Sequence, residues 1–374
     1  MIKNAPYSKL KNMSSESRTY PLRRPEGHRP PVPRWHLVLS ENVNSVATAY
    51  IGIQPHFHNS VTYQVMERII TAIEEWLNRG DADGRPLANE TFKHLDGDDV
   101  PEARIWVCYW DNPENCKKSL EKLNIAFIFA RLSPEDRDRI GLWSESFTTP
   151  ITQLETNYSG LDYLPGLAKL PDTNTKEHTL SAYWGAARDR IPSSAHDLFE
   201  KDHLAESTRP QVLPKGLGQH LVGINYDNMV HIRSGQFWEN CGLEETESYE
   251  KHLEPKLRAG LSYLWDNRND GGAMGLRFLG NADIKGCMRK ETCGAGFFTD
   301  LHSLEEWSRR HRSHLAIYLG AMKHAKTFGE SRKFRTCHEV SVLKRGEAAF
   351  EYLNCLPTTG VMPFIALDVT SELN

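Results

Sequence analysis

Apolar positions change their period several times along this chain, and each change marks an element. Residues 46–54, VATAYIGIQ, are a short, dense apolar run and read as a strand. Val61, Val65, Ile69, Ile73 and Trp76 then recur at steps of three and four, so residues 61–78 read as an amphipathic helix. ARIWVCYW, residues 103–110, returns to strand character, and residues 111–123 form a short helix opened by Asp111 and Pro113. Residues 131–220 lose any period and are rich in Pro, Gly, Ser and Thr, which predicts irregular structure. Periodicity then resumes, with a strand at 227–236, a helix at 248–267, a strand at 272–280, a helix at 303–325 and a strand at 337–343. The second series repeats the order of the first. Two such units predict an α+β fold in which a ferredoxin-like repeat forms an antiparallel β-barrel flanked by helices. The domain reading is an extended Pro/Arg-rich arm over residues 1–44, then one domain over 45–374. That domain is built from two similar halves, about 45–130 and 225–345, around the irregular middle.

Composition narrows the classes. The arm sequence PLRRPEGHRPPVPRW is too proline-rich for a helix and predicts an extended segment that wraps over something. Net charge is −4, which offers no electrostatic case for nucleic acid or a membrane surface. The apolar run IAFIFA is far too short to span a bilayer. The N-terminus is basic without an apolar stretch, so it does not read as a secretory signal. Seven scattered cysteines show no CxxC, which disfavours a zinc ribbon and excludes CxxCH haem attachment. Their odd number fits reduced thiols in a cytoplasm.

Four segments carry candidate chemistry. In the 303–325 helix, Ser303 and Glu306 form a capping-box pattern, and Leu304, Trp307, His311, His314, Tyr318 and Met322 share the apolar face. His314 therefore points inwards, either as a hydrogen-bonded core histidine or as an axial ligand through neutral imidazole. An alternative start at His314, capped by Ser313, keeps it inward. In RTCHEVSVL the strand period puts His338, Val340 and Val342 on one face, which makes His338 a candidate general acid/base or a core histidine. In MVHIRSGQFW it puts Val230, Ile232 and Ser234 inwards, with His231 and Arg233 outwards. No GxSxG elbow accompanies Ser234, so a serine hydrolase is disfavoured. AYWGAARDRIP supplies Arg188 and Arg190. His56 and His58 lack a third metal ligand and read as solvated or structural. Two inward histidines, a serine and an arginine describe one ligand with several proton handlers, read here as a haem pocket.

YWGAARDRIP, HIRSGQFW, HRSHLAIY, CHEVSV and EYLNCLPTTGVM resemble segments of the haem-containing aldoxime dehydratases. RRPEGHRPPVPRW and QLETNYSGLDYLPG are also similar to that family, and the seven matches keep their order from about residue 20 to about residue 362. The resemblance implies a homodimeric α+β barrel with one haem b per subunit, active as Fe(II). It implies His314 as the axial ligand of the iron, His338 as general acid/base and Ser234 as the substrate-binding hydroxyl. It implies Arg190, with Arg188 as the alternative, as the active-site cation, and Glu155 as the acidic partner of His338. Proline often follows the first histidine of the helix segment in the family, where this chain has Arg312. The segment between His314 and His338 looks about three residues longer than usual.

The activity so implied is that of a lyase, the dehydration of an aldoxime to a nitrile and water, with the oxime nitrogen bound directly to ferrous iron. A haem peroxidase or oxygen-activating enzyme on a related barrel is the rival enzyme class, and it has no need of Ser234 and His338 together. A non-catalytic haem-binding protein is the rival outside enzymology.

Overall fold

The dense apolar runs become strands of a sheet that is covered on both faces. A computed structural model describes residues 18–79, 84–203, 209–283 and 286–373. The first strands are β1 (Arg34–Val38), β2 (Ser45–Pro55), β3 (Ala88–Gly97), β4 (Arg104–Trp110) and β5 (Ile140–Pro150). The middle contributes β6 (Leu154–Tyr158), β7 (Asn174–His178), β8 (Gln219–Ile224) and β9 (Met229–Phe237). The last are β10 (Ala273–Ala282), β11 (Met288–Phe298), β12 (Arg335–Leu343), β13 (Ala348–Leu353) and β14 (Asp368–Glu372). They pair antiparallel in the order β14-β8-β13-β5-β2-β4-β3-β10-β11-β9-β12-β6-β1-β7.

The sheet curls around one apolar core. Phe297 of β11 meets Phe147 of β5 at 6.1 Å and Phe350 of β13 at 5.5 Å. Among the described residues no ladder joins β14 to β7, so the expected closed barrel is corrected to a curled, open sheet. Sequence explains the open ends. Both edge strands, DVTSE and NTKEH, are short, polar and largely exposed, which suits an unpaired edge.

Helices cover the outer faces. On the N-terminal half lie α1 (Ser60–Arg79) and α2 (Pro113–Leu123). Val65, Ile69 and Ile73 of α1 are each 1% exposed, and burial of that kind is worth about 1.5–3 kcal/mol per side chain. Val61, expected on the same stripe, lies in the first turn and is exposed. Asn112, not Asp111, caps α2 by accepting from Glu114 N at 2.9 Å, with Pro113 following. The C-terminal half carries the short α3 (Ala186–Arg190), α4 (Glu254–Asp266), α5 (Leu301–Arg310) and α6 (Arg312–Phe328).

Three departures from expectation bear on the site. The arm contains a strand, β1, held between β6 and β7. The middle segment is not irregular throughout, because β5, β6 and β7 come from it and β8 begins at its end. The expected helix over 303–325 is two helices. Asp300 caps α5 through Ser303 N at 2.8 Å, in place of the Ser303 and Glu306 box. His311 adopts an extended conformation, stacks on Tyr263 with ring centroids 3.5 Å apart, and caps α6 through Ser313 N. His314 thus lies in the first turn of a new helix.

Candidate active site

A cavity of about 410 Å³ lies between the outer face of β6, β9, β11 and β12 and the helices α4, α5 and α6. Strand period decides which side chains reach it. His338 of β12 stands opposite Ser234 of β9 on one side and Asn157 of β6 on the other. Val340 stands opposite Ile232 and Glu155 in the same way. Ser234, His338 and Glu155 therefore share one wall of the cavity, as alternation predicts for the first two; the strand that carries Glu155 was expected to be irregular.

Gln236, which sequence reasoning passed over, continues that wall. It accepts from Thr292 Oγ1 at 3.0 Å and donates through Nε2 to the Ser234 carbonyl at 2.9 Å and, more weakly, to Ser234 Oγ at 3.4 Å. With one lone pair facing the Gln236 amide, the Ser234 hydroxyl keeps its own proton free to donate into the cavity. The signal was present in sequence, since Gln236 lies two residues beyond Ser234 on a strand. Asn157, also passed over, accepts from or orients His178 Nε2 at 3.2 Å while lining the cavity beside His338.

The structure distinguishes the two arginines. Arg188 points away, with Nε and Nη2 on Glu305 at 3.1 and 2.8 Å and Nη1 on Leu198 O. Arg190 lines the cavity and grips Glu155, with Nε donating to Oε1 at 2.6 Å and Nη2 to the same oxygen. Glu155 Oε2 is buried without a partner. Among the described residues no hydrogen bond joins Glu155 to His338; Glu155 is bound by Arg190, whose charge is among those acting on His338. Burial raises the Glu155 pKa and Arg190 opposes the rise. His338 is pushed down to about 3 by burial first, then by Arg190, Arg34 and His314. It is a neutral imidazole across the physiological range.

His314 enters from the opposite wall. Its ring meets Trp307 edge-on at 4.8 Å, and burial lowers its pKa to about 4, with the Ser308 carbonyl opposing. A neutral imidazole is the ligand form for a metal. Its Nδ1 and the Trp307 Nε1 are buried without partners. Along α6 the apolar side chains of Ile317, Tyr318, Ala321 and Met322 stay only half-buried, because they face the cavity and not the sheet. An apolar slot with a neutral histidine on one wall fits a flat macrocyclic cofactor held through its metal. His56 and His58 take no part, bonding to Asp138 O and Tyr63 Oη, each at 3.2 Å. Among the described residues no cluster of His, Cys, Asp and Glu is arranged to hold a bare metal ion.

Comparison with known proteins completes this picture. Residues 49–361 match the family described as haem-containing dehydratases. The chain belongs to the haem-containing dehydratase family. A phenylacetaldoxime dehydratase of Bacillus sp. (strain OxB-1) is 29% identical over 356 residues, covering 93% of this chain and 96% of that protein. An aliphatic aldoxime dehydratase of Pseudomonas chlororaphis is 30% identical over 352 residues, covering 92% and 94%. Among solved structures, an aldoxime dehydratase crystallised with butyraldoxime superposes with a TM-score of 0.81 at 27% identity, covering 94% of each chain. As a member of this family the dehydratase uses haem, and the residues around His314 suit it. The coarse fold, a large antiparallel sheet with flanking helices, is likewise that of its relatives.

Proposed function

We propose that this chain dehydrates aldoximes to nitriles and water at a haem iron held by His314. The observation that carries the reading is the row of Ser234 and His338 on adjacent strands, facing His314 across one cavity. When bound, ferrous haem b supplies an open iron position that takes the oxime nitrogen and feeds electron density towards the N–O bond.

The chain's own residues handle the rest. Ser234 donates its hydroxyl proton as a hydrogen bond to the oxime oxygen and so fixes the substrate's direction. The reaction removes one proton from carbon and adds one to the departing oxygen, so a single imidazole that returns to its starting state can serve both transfers. His338 is that group. Because burial, and then Arg190 and Arg34, disfavour its charged form, any imidazolium formed there is a strong acid, able to give its proton to the leaving oxygen. Arg190 assists as a cationic donor near that oxygen, and Glu155 holds Arg190 in place. The apolar walls exclude water.

The same reading makes the enzyme a homodimer of one haem-binding domain per chain, with two similar ferredoxin-like halves behind the N-terminal arm. A reducing cytoplasm suits its seven cysteines, all free of disulfides. Among the described residues no helix is long and apolar enough to cross a membrane. The test is nitrile formation by the purified, haem-loaded protein from a simple alkyl aldoxime, with and without dithionite. Nitrile formation only after reduction is expected. Equal rates in both oxidation states would count against ferrous iron, and no nitrile in either would overturn the reading.

A further inference from the structure

Two cations line the cavity, and they differ in what they face. Arg190 has its carboxylate. Arg34, the first residue of β1, has none: among the described residues no acceptor lies within hydrogen-bond reach of its guanidinium. Its neighbours are cations and neutral rings. Arg332 and Arg190 are near enough to depress its pKa to about 9, after burial as the first cause. His178, opposite Arg34 in the β1–β7 ladder, is pushed down to about 3 by burial first, then by Arg190, His36 and Arg34. His36 stacks on His178 at 5.7 Å and is lowered too. The Glu155 carboxylate is held by Arg190, and among the described residues no carboxylate bonds Arg34, so this end of the cavity keeps positive charge without a counter-charge.

A half-buried arginine held against other arginines is costly unless an anion completes it. The aldoxime is neutral and supplies no charge. The haem of this family does, through its two propionate side arms. We propose that Arg34 is the anchor for a haem propionate, so that the N-terminal arm, through β1, closes the cofactor site. The proposal rests on the haem reading above. It gives the Pro/Arg-rich arm a purpose: β1 is tied to β6 and β7, and Val32 and Arg34 are the arm residues that line the cavity. An arginine suits the task because its planar fork matches a carboxylate and stays charged.

The experiment reconstitutes the apoprotein with haem and with haem dimethyl ester, whose propionates are neutral, and follows the Soret band. Wild type, Arg34→Gln and Arg34→Lys are compared, and apoprotein melting confirms folding. Wild type should bind the diacid roughly tenfold to a hundredfold more tightly than the diester, the usual worth of a hydrogen bond to a charged group. Arg34→Gln should lose most of that preference by weakening the diacid alone, and Arg34→Lys should restore part of it. Equal preference in wild type and Arg34→Gln would overturn the proposal and leave the haem reading intact. Equal weakening of diacid and diester in Arg34→Gln would also overturn it, as a merely structural effect. Failure of the wild type to take up either haem would overturn both. The diester comparison on wild type needs no variant, so misfolding of Arg34→Gln does not remove the test.

Discussion

The two faces of β9 and β12 are made of alternate residues of the same strands, yet they are built to opposite rules. On the inner face, Arg233 is 1% exposed and meets Glu90 at 2.8 Å and Glu339 at 3.8 Å. Glu339 in turn accepts from Leu167 N at 2.8 Å. On the cavity face, one residue along, Ser234 and His338 keep hydrogen-bonding capacity unspent, and among the described residues Arg34, which lines the same cavity, has no acceptor. Charge that is matched inside the protein serves the fold. Charge left without a counter-charge beside a cavity marks where something else is to bind. Each prediction below tests that division.

The largest effect belongs to His338. Removing a general acid/base typically costs about 10²–10⁴-fold in rate. His338→Ala should lose turnover on that scale while keeping its haem and a substrate-induced spectral change. Glu339→Gln, the next residue but on the other face, should keep its turnover per bound haem. Comparable loss in both variants would break the distinction between faces.

Arg233→Met should act on stability instead. It leaves the buried Glu90 with Lys169 as its cation and the Tyr109 hydroxyl as a neutral donor, and removing one partner of a buried pair costs about 3–5 kcal/mol. Urea unfolding should show that loss, and the folded fraction should retain an unchanged haem spectrum. An intact melting curve would mean that the inner cluster contributes little to the fold.

Acid should strain the inner face next. His231 is 4% exposed among Tyr50, Phe147 and Phe297, and burial first, then Arg233 and Arg277, lowers its pKa to about 3. The unfolded chain, with an ordinary histidine, binds more protons between about pH 6.5 and pH 3. Stability therefore holds above that window and falls as pH drops through it, by at most about 1.4 kcal/mol per pH unit from this ring. His231→Phe should flatten part of the decline measured by denaturant midpoints at pH 7 and 5.5. An unchanged slope would show that His231 is not among the groups responsible.

His231 and Arg233 also show where sequence reading stops. Alternation in MVHIRSGQFW separates the two faces correctly, but it was read as inside against outside, and both faces are inside. One strand cannot reveal that a second layer covers its far side. The strands β2, β4, β9 and β12 and helix α1 were legible because apolar residues dominate them or keep strict period. Strands β3 and β5 were not, because ANETFKHLDG and IGLWSESFTTP alternate small, polar and charged residues whose partners lie on distant strands. At the site, period and resemblance singled out His314, His338, Ser234 and Arg190, and all four line one cavity. The pairing of Glu155 with Arg190 and the open guanidinium of Arg34 depend on how β1, β6 and α3 meet in space, which no local pattern encodes.

The smallest predicted effect is the finest test of the cavity face. Gln236 touches the proposed chemistry only through Ser234, donating to its carbonyl at 2.9 Å and its Oγ at 3.4 Å, while Thr292 Oγ1 holds the amide from the other side at 3.0 Å. A neutral hydrogen bond of this kind is worth about 0.5–1.5 kcal/mol. Gln236→Leu frees the Ser234 hydroxyl to rotate, so its proton is no longer aimed at the oxime oxygen. The rate should fall about threefold to tenfold, and the loss should appear in both substrate affinity and kcat, because orientation matters before and during N–O cleavage. Gln236→Glu retains an acceptor for Thr292 but removes the donor to Ser234, so it should resemble Gln236→Leu in rate while melting closer to wild type. If Gln236→Leu lowers stability and leaves the rate per bound haem unchanged, Gln236 belongs with the matched groups of the inner face, and Ser234 is oriented by the substrate alone.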